Sequence, residues 1–298
     1  MARVAPSGAL EKGKLKLHQC KSGRTLEYAI QGRCNDDDPF LLHLMGMHMA
    51  GMGPPHLTMG AARKPHIKKQ EDWDKVPFKV ILPSRAGYGR STPPPDVKTW
   101  TYGLMAADMA DLCDALGAGK VALLGVSSGG PNCLAFAAHY PERAAAVFTI
   151  SGDASYGPSQ PKAAKKFGAP FSEESPQYAE GMPACRTGCC APCCHGPCRC
   201  PCCCSLGGAA DYKIESRDAD FRLEDVQCPA IVLHGTKDDM VDVNCAHYIA
   251  MKVPKARKVI VDGMGHGECE GSTFDRHLGD LRRLARGEPL QEVMLGAR

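Results

Sequence analysis

The 298-residue sequence predicts an α/β fold: a mostly parallel, twisted sheet with helices on both faces. Short unbroken apolar runs such as "FKVILP", "KVALLGV" and "PAIVLHG" are typical of strands that are covered on both sides. Segments with helical spacing lie between these runs, and strands that alternate with helices favour a parallel sheet. The length is sufficient for one large domain or two modest ones, and 44% hydrophobic residues are ordinary for a globular protein.

The N-terminal part predicts a hairpin and two buried strands. "LKLHQC" and "RTLEYAI" alternate apolar and polar residues around "KSG", which is typical of antiparallel pairing. "PFLLHL" and "FKVILP" are the next two strands. Between them lies a Gly-, Met- and Pro-rich stretch without a period, for which we expect a loop with at most one irregular helical segment. Its methionines from Met45 to Met59 favour adaptable apolar packing beside a pocket over copper binding.

The remaining regular elements follow in alternation. "TYGLMAADMADLCDALG" spaces Leu104, Met105 and four later apolar residues by three and four, which predicts an amphipathic helix ended by Gly117. "KVALLGV" predicts a strand, "GGPNCLAFAAHYPER" a helix, and "AAAVFTI" a strand. Further along, "PAIVLHG", "NCAHYIAMKV" and "ARKVIVDG" predict strand, helix and strand, and a last helix runs from about Phe274 to Arg286.

One stretch interrupts this alternation. From Asp153 to about Arg222 the pattern stops, over a length that is unusual for a loop inside a compact domain. We therefore expect a lid inserted over the edge of the sheet. The chain, 1–298, is then a single domain with a core of about 15–152 and 223–298 and a lid of about 153–222.

Cysteine usage is the anomaly of the composition. Ten of 17 cysteines lie in residues 185–204, while the other seven are dispersed without paired spacing. With His195, the cluster could bind zinc or copper(I) as thiolates. Its "CC" and "CCC" runs differ from paired C-x₂-C knuckles, so a low-complexity segment or a gene-model artefact is favoured, with lipidation as a third interpretation.

The overall charge and hydropathy exclude some partners. A scattered net charge of +3 does not indicate nucleic-acid binding. The N-terminus has no apolar signal region, and no stretch approaches the roughly 20 apolar residues of a membrane span. These observations predict a soluble, cytoplasmic protein, and they leave its oligomeric state open.

The strongest motif is G-x-S-x-G at residues 125–129, between a predicted strand and a predicted helix. In that context the motif predicts a nucleophile elbow, because glycines two positions either side of the serine let the chain turn sharply. Ser127 is then the nucleophile, and the backbone N–H of Ser128 faces a developing oxyanion. Ser128 is out of register as nucleophile. A glycine-rich turn without chemistry is the alternative.

A serine nucleophile needs a base and an orienting carboxylate. Asp238 follows the strand "PAIVLHG", and His266 follows the strand "ARKVIVDG" in a glycine-flanked loop. The carboxyl ends of parallel strands meet at one crevice, and the chain order Ser, Asp, His is the one this motif's fold uses. Asp153, after "AAAVFTI", is a second candidate acid and Asp239 a third. The alternative is that Asp238 only begins a turn and that His266 has no catalytic role.

These motifs resemble the α/β-hydrolase superfamily, within it the lid-bearing esterase- or proline-iminopeptidase-like members. The resemblance covers about Thr25 to Ser151 and Asp225 to Arg286. "ILPSRAGYGRS" is similar to the family's Asp-Arg-x-Gly-x-Gly-x-Ser turn, with Ser84 where Asp is usual. The elbow, acid and histidine segments also resemble the family's pattern, which implies Ser127, Asp238 and His266 as the triad.

The resemblance also implies a second oxyanion donor after the third strand. Family members usually carry His-Gly there, whereas "LLHLMGMH" separates His43 from Gly46. Counting from Gly46 makes the N–H of Met47 the donor, and counting from His43 makes it that of Met45. We prefer Met47, because glycine lets the backbone approach a substrate.

The resemblance implies a serine hydrolase that cleaves an ester- or amide-like bond of a small molecule through an acyl-enzyme. That cycle needs no cofactor and no metal. Serine at position 127 argues against epoxide hydrolases and haloalkane dehalogenases, which need a carboxylate there. Carbon–carbon hydrolases and perhydrolases that use the same triad, and a non-catalytic ligand-binding relative, are the alternatives.

Overall fold

The computed structural model describes residues 10–47, 70–154, 206–266, 268 and 271–291. Eight strands form one sheet in these ranges, in the order β1-β2-β4-β3-β5-β6-β7-β8. The strands are β1 (Lys16–Gln19), β2 (Thr25–Gln31), β3 (Phe40–Leu44), β4 (Lys79–Pro83), β5 (Val121–Val126), β6 (Ala144–Ile150), β7 (Ala230–Gly235) and β8 (Ala256–Val261). The helices are α1 (Gln70–Trp73), α2 (Tyr102–Ala115), α3 (Gly129–His139), α4 (Leu206–Glu215), α5 (Asn244–Lys252) and α6 (Gly271–Ala285).

The sheet is parallel except at β2, which pairs antiparallel with both β1 and β4. The predicted N-terminal hairpin and the mostly parallel sheet are therefore confirmed. From β3 the chain moves outward to β4 and then returns to β5 on the other side of β3. This reversal opens a crevice beyond the carboxyl ends of β3 and β5, where ligands bind in open α/β sheets.

Two apolar layers cover the sheet, one on each face. Helices α2, α3, α4 and α5 contribute to one layer, and α1 and α6 contribute to the other. The central strands supply alternate side chains to each layer, as Leu123 and Leu124 of β5 do. This arrangement explains the unbroken apolar runs, because a strand covered on both faces has no position that favours a polar side chain.

Helix α2 follows its predicted boundaries. The side chain of Thr101 caps its first turn by accepting a hydrogen bond from Leu104 N at 3.2 Å. Beyond its end, Gly117 has a φ of 71°, a left-handed conformation that glycine adopts readily. Leu104 was predicted on the apolar face, but its side chain is 43% exposed. It lies about 100° around the helix from Met105, outside the buried stripe.

Residues 206–215 form α4, a helix that the apolar spacing did not predict. Ala210 and Ile214 of this helix are buried in the core. Gly207 lies against the ring of Tyr88, where a Cβ atom would overlap the ring carbons. Residues 155–205, including the cysteine cluster, lie outside the described ranges, and the division into core and lid stays a prediction.

Six of the dispersed cysteines fall in the described ranges, where they are free thiols, five of them buried. Cys269 lies outside those ranges.

Among the helices described, none combines the length and the apolar character that a membrane crossing requires.

Candidate active site

The turn between β5 and α3 consists of Ser127 and Ser128. Ser127 has a φ of 52°, a left-handed conformation that costs a residue with a Cβ roughly 1–2 kcal/mol. Two backbone hydrogen bonds hold it there: Ser127 N donates to Ile150 O at 2.9 Å, and Gly130 N donates to Ser127 O at 2.7 Å. Such maintained strain is characteristic of functional positions.

The flanking glycines are required by backbone contacts. A Cβ at Gly125 would lie 2.6 Å from the carbonyl carbon of Gly129, closer than real Cβ atoms come. A Cβ at Gly129 would overlap the carbonyl oxygen of Leu44 and lie 2.9 Å from that of Met45. Both glycines therefore permit the close approach of α3 to β5 and to the loop after β3.

The structure brings the side chains of Ser127, His266 and Asp238 together. Ser127 Oγ lies 3.1 Å from His266 Nε2, although the two residues are 139 positions apart. His266 Nδ1 lies 2.9 and 3.0 Å from the two oxygens of Asp238. Since a carboxylate can only accept, Nδ1 carries the proton, and Nε2 is the acceptor that faces the serine hydroxyl.

Asp238 and His266 lie in the loops that follow two neighbouring strands. Asp238 follows β7 and His266 follows β8, which pair in parallel up to Gly235 and Val261. A Cβ at Gly235 would overlap the carbonyl of Met264, so glycine allows the two loops to pack together. Lys237 N also donates to Met264 O at 3.0 Å. These contacts fix the loops against each other.

Asp238 is held by several donors in addition to His266. The backbone N–H groups of Met240 and Val241 donate to its Oδ1 at 3.0 and 2.8 Å, and His234 Nε2 lies 3.1 Å from its Oδ2. Burial alone would raise the pKa of Asp238, but the hydrogen bonds from His234 and His266 hold it far below its usual value. The carboxylate is thus ionised at neutral pH and keeps His266 in the Nδ1–H tautomer.

The other two candidate acids occupy different surroundings. Asp153 is 2% exposed and lies within electrostatic reach of Tyr102 and Glu215. Asp239 is exposed. Both hydrogen bonds of His266 Nδ1 described above go to Asp238.

The loop after β3 lies beside the elbow, because Leu44 pairs with Gly125 at the end of the parallel ladder. Met45 and Gly46 are buried, and their carbonyls face the guanidinium of Arg85. His43 belongs to β3 itself, and its Nδ1 lies 3.0 Å from Leu124 O. Burial lowers the pKa of His43 to about 4, so it is a neutral residue of the sheet.

Sequence reasoning missed four residues around this site: His234, Arg85, Asp211 and Glu215. His234 is the penultimate residue of an apolar strand, where the pattern gives no reason to expect a polar contact. Arg85 was visible only as part of the turn "SRAGYGRS". The two carboxylates belong to α4, for which the sequence offered no element.

One group of possible metal ligands occurs among the described residues, at His18, Cys20 and Asp111. Their ligand atoms lie within 4.8 Å of one another. Asp111 already accepts from Lys21 N at 2.9 Å and pairs with Lys21 Nζ at 2.7 Å. The group involves β1, at the edge of the sheet four positions from β5, and does not contact the three residues of the candidate site.

Comparisons with known proteins identify the fold of this chain. A family model described as "alpha/beta hydrolase fold" matches residues 65–182. The esterase RhEst1 from Rhodococcus sp. ECU1013 aligns with a TM-score of 0.61 and 19% identity, over 92% of this chain and 98% of that one. A thermophilic esterase from Thermogutta terrifontis aligns with a TM-score of 0.55 and 24% identity, over 95% and 98%.

A further similar structure is the N-acyl homoserine lactonase AidH complexed with N-butanoyl homoserine. It aligns with a TM-score of 0.60 and 18% identity, over 93% of this chain and 98% of that one. No curated protein sequence is similar enough to count as a relative. At these identities the structural matches show the fold.

The sheet order, the strand–turn–helix at residues 121–139 and these matches define a protein of the α/β-hydrolase fold. The chain therefore has the α/β-hydrolase fold.

Proposed function

We propose that this protein is a serine hydrolase that cleaves an ester bond of a small molecule through an acyl-enzyme. The observation that carries the proposal is the continuous hydrogen-bonded series from Asp238 through His266 to Ser127. Ser127 is held at its strained turn, half-buried at the crevice of the sheet. A nucleophile, a base and an orienting acid in that order are the parts that acyl transfer needs.

In the proposed reaction Ser127 Oγ attacks the carbonyl carbon of the substrate while its proton passes to His266 Nε2. The resulting oxyanion is stabilised by backbone N–H groups, and His266 then gives the proton to the departing alkoxide. A water molecule attacks the acyl-enzyme with the same base, and the acid product leaves as Ser127 regains its proton. Asp238 stays ionised throughout and stabilises the imidazolium.

The proposed oxyanion donors are the N–H groups of Ser128 and Met47. Ser128 immediately precedes α3, so its N–H lies at the positive end of the helix dipole. Arg85 holds the carbonyl of Gly46, and the N–H of Met47 belongs to the same planar peptide and points the opposite way. This orientation supports Met47 over Met45. Losing one such donor costs about 3–4 kcal/mol of transition-state stabilisation.

The substrate class we favour is an ester, with lactones included because a lactone is a cyclic ester with the same electrophilic carbonyl. Two of the similar structures are esterases and one is a lactonase. An amide is the harder substrate for the same groups, because its leaving amine must be protonated before it departs.

The test is labelling of the purified chain with a fluorophosphonate, alongside turnover of p-nitrophenyl esters of increasing acyl length, N-acyl homoserine lactones and aminoacyl-naphthylamides. We expect labelling and ester turnover in the wild type and neither in Ser127→Ala. Ser151→Ala is the matched control, since Ser151 also ends a parallel strand with a φ of 50°. It should keep the label.

Two results would count against the proposal. Absence of both label and turnover in the folded wild type would favour a non-catalytic ligand-binding protein. Labelling of Ser127 without hydrolysis of any ester or lactone would direct attention to carbon–carbon hydrolysis or perhydrolysis with the same triad.

A further inference from the structure

A buried arginine, Arg85, is hydrogen-bonded to the loop that carries the proposed second oxyanion donor. Arg85 is 1% exposed, and its guanidinium donates to the carbonyl of Met45 and, at 3.4 Å, to that of Gly46. A trans peptide is planar, so its carbonyl and the following N–H point in opposite directions. By holding the Gly46 carbonyl, Arg85 fixes the direction of the Met47 N–H. In the loop after β3, the contacts of Arg85 are with backbone carbonyls, and none of its hydrogen bonds described here involves Ser127, Asp238 or His266.

The same guanidinium depends on helix α4. Arg85 forms an ion pair with Asp211, and both side chains are 1% exposed. The hydroxyl of Tyr88 donates to the same carboxylate at 2.6 Å, and the guanidinium carbon lies 5.0 Å from the Tyr88 ring centroid. A buried charge that loses its partner is strongly unfavourable, so removing the Asp211 charge leaves Arg85 to reorient.

Helix α4 also reaches the elbow. Glu215 lies one turn beyond Asp211, on the same face of the helix, and its buried carboxyl lies within electrostatic reach of the Ser128 side chain. Ser128 is the residue whose N–H is the proposed first oxyanion donor. Burial, together with the nearby charges of Asp153 and Asp211, raises the pKa of Glu215 well above its usual value.

We propose that α4 positions the Gly46–Met47 half of the oxyanion hole, with Asp211 acting through Arg85. Arg85 and Asp211 are positioning residues, because they act through other residues and not on the substrate. This inference rests on the proposed function and adds to it that the rate of acyl transfer depends on a docked α4.

A buried ion pair elsewhere provides a matched control for a merely structural role. Arg24 donates to both oxygens of Asp108 at 2.8 and 2.7 Å, with side chains 13% and 1% exposed. This pair joins the turn before β2 to α2, and the hydrogen bonds of the pair described here do not involve the elbow or the loop after β3. Asp108→Asn therefore reproduces the cost of an unpaired buried arginine without disturbing the oxyanion donors.

The experiment compares Asp211→Asn, Arg85→Lys and Asp108→Asn in the full chain, with kcat and KM for a p-nitrophenyl ester and the inhibition constant of phenylboronic acid. Boronic acids form a tetrahedral adduct with a serine nucleophile and so report on the oxyanion hole. For Asp211→Asn we expect kcat to fall at least about tenfold with KM within about threefold, and boronate affinity to fall in parallel. Asp108→Asn should lower the thermal midpoint similarly while kcat stays within about twofold.

Arg85→Lys keeps the charge but lacks the planar fork that reaches two carbonyls, so the same loss of kcat is expected even where Asp211→Asn folds poorly. The proposal is overturned if both site variants lower kcat no more than Asp108→Asn does. Wild-type turnover that is lost in Ser127→Ala is established first. If that turnover is absent, the proposed function and this inference fall together; if it is present, only the positioning role is at stake.

Discussion

Replacing Ser127 by glycine and, separately, by alanine isolates the strain at the elbow. Both variants lose the hydroxyl, so they differ only in the Cβ atom. At a φ of 52° the left-handed conformation costs alanine roughly 1–2 kcal/mol and glycine almost nothing. Glycine loses about 0.5–1 kcal/mol more backbone entropy on folding. We therefore expect Ser127→Gly to be more stable than Ser127→Ala by about 0.5–1 kcal/mol.

Equilibrium urea unfolding, followed by circular dichroism, measures this difference. For a chain of this length it corresponds to about 1–3 °C in the thermal midpoint. Ala107→Gly on the exposed face of α2 is the control, because glycine in a helix interior costs about 1 kcal/mol relative to alanine. The alanine-to-glycine change should therefore have opposite signs at the two positions.

The reasoning fails if Ser127→Gly is less stable than Ser127→Ala by an amount similar to the effect of Ala107→Gly. That outcome would put Ser127 in an ordinary backbone conformation and would remove the strained turn from the proposed site. Both Ser127 variants should be inactive in either case.

Three further predictions concern neighbouring residues. Burial, opposed by one backbone hydrogen bond, lowers the pKa of His43 from 6.5 to about 4. The folded state therefore favours the neutral imidazole, so the free energy of unfolding is at its full value above pH 6.5 and decreases as the pH falls toward 4. The loss reaches about 3 kcal/mol, and urea unfolding of His43→Leu should show a flatter pH dependence than the wild type. Gly129→Ala should destabilise by about 1–3 kcal/mol and lower kcat, because the added Cβ overlaps the end of β3. Gly279→Ala, where nothing lies within 4 Å, should not destabilise. His234→Phe removes a donor to the Asp238 carboxylate and should destabilise by about 1.5–3 kcal/mol in thermal unfolding, with kcat reduced more than KM.

The strands, and the positions of Ser127, Asp238 and His266 after them, could be predicted because their determinants are local. A strand buried on both faces requires a continuous apolar run, and a sharp strand–helix turn requires small residues at fixed offsets. Ser127, Asp238 and His266 each follow such a strand directly or within five residues. Parallel pairing then brings the three loops to one edge of the sheet without any long-range information.

Helix α4 and its polar contacts could not be predicted from local pattern. Its buried face presents Asp211 and Glu215 next to Ala210 and Ile214, so half of that face has the composition of a solvated surface. The partner of Asp211 is Arg85, 126 positions earlier. Nothing near either residue specifies that contact, which exists only because the fold brings α4 over the turn after β4.

The distance along the chain between Ser127 and His266 has a consequence for biosynthesis. The imidazole arrives with β8, the strand at one edge of the sheet and the last to be made. A nascent polypeptide still on the ribosome can complete the elbow while it has no proton acceptor for the serine. The proposed ester hydrolysis therefore requires that β8 has joined the sheet, so cleavage of a fluorogenic ester is expected to report when that strand is in place.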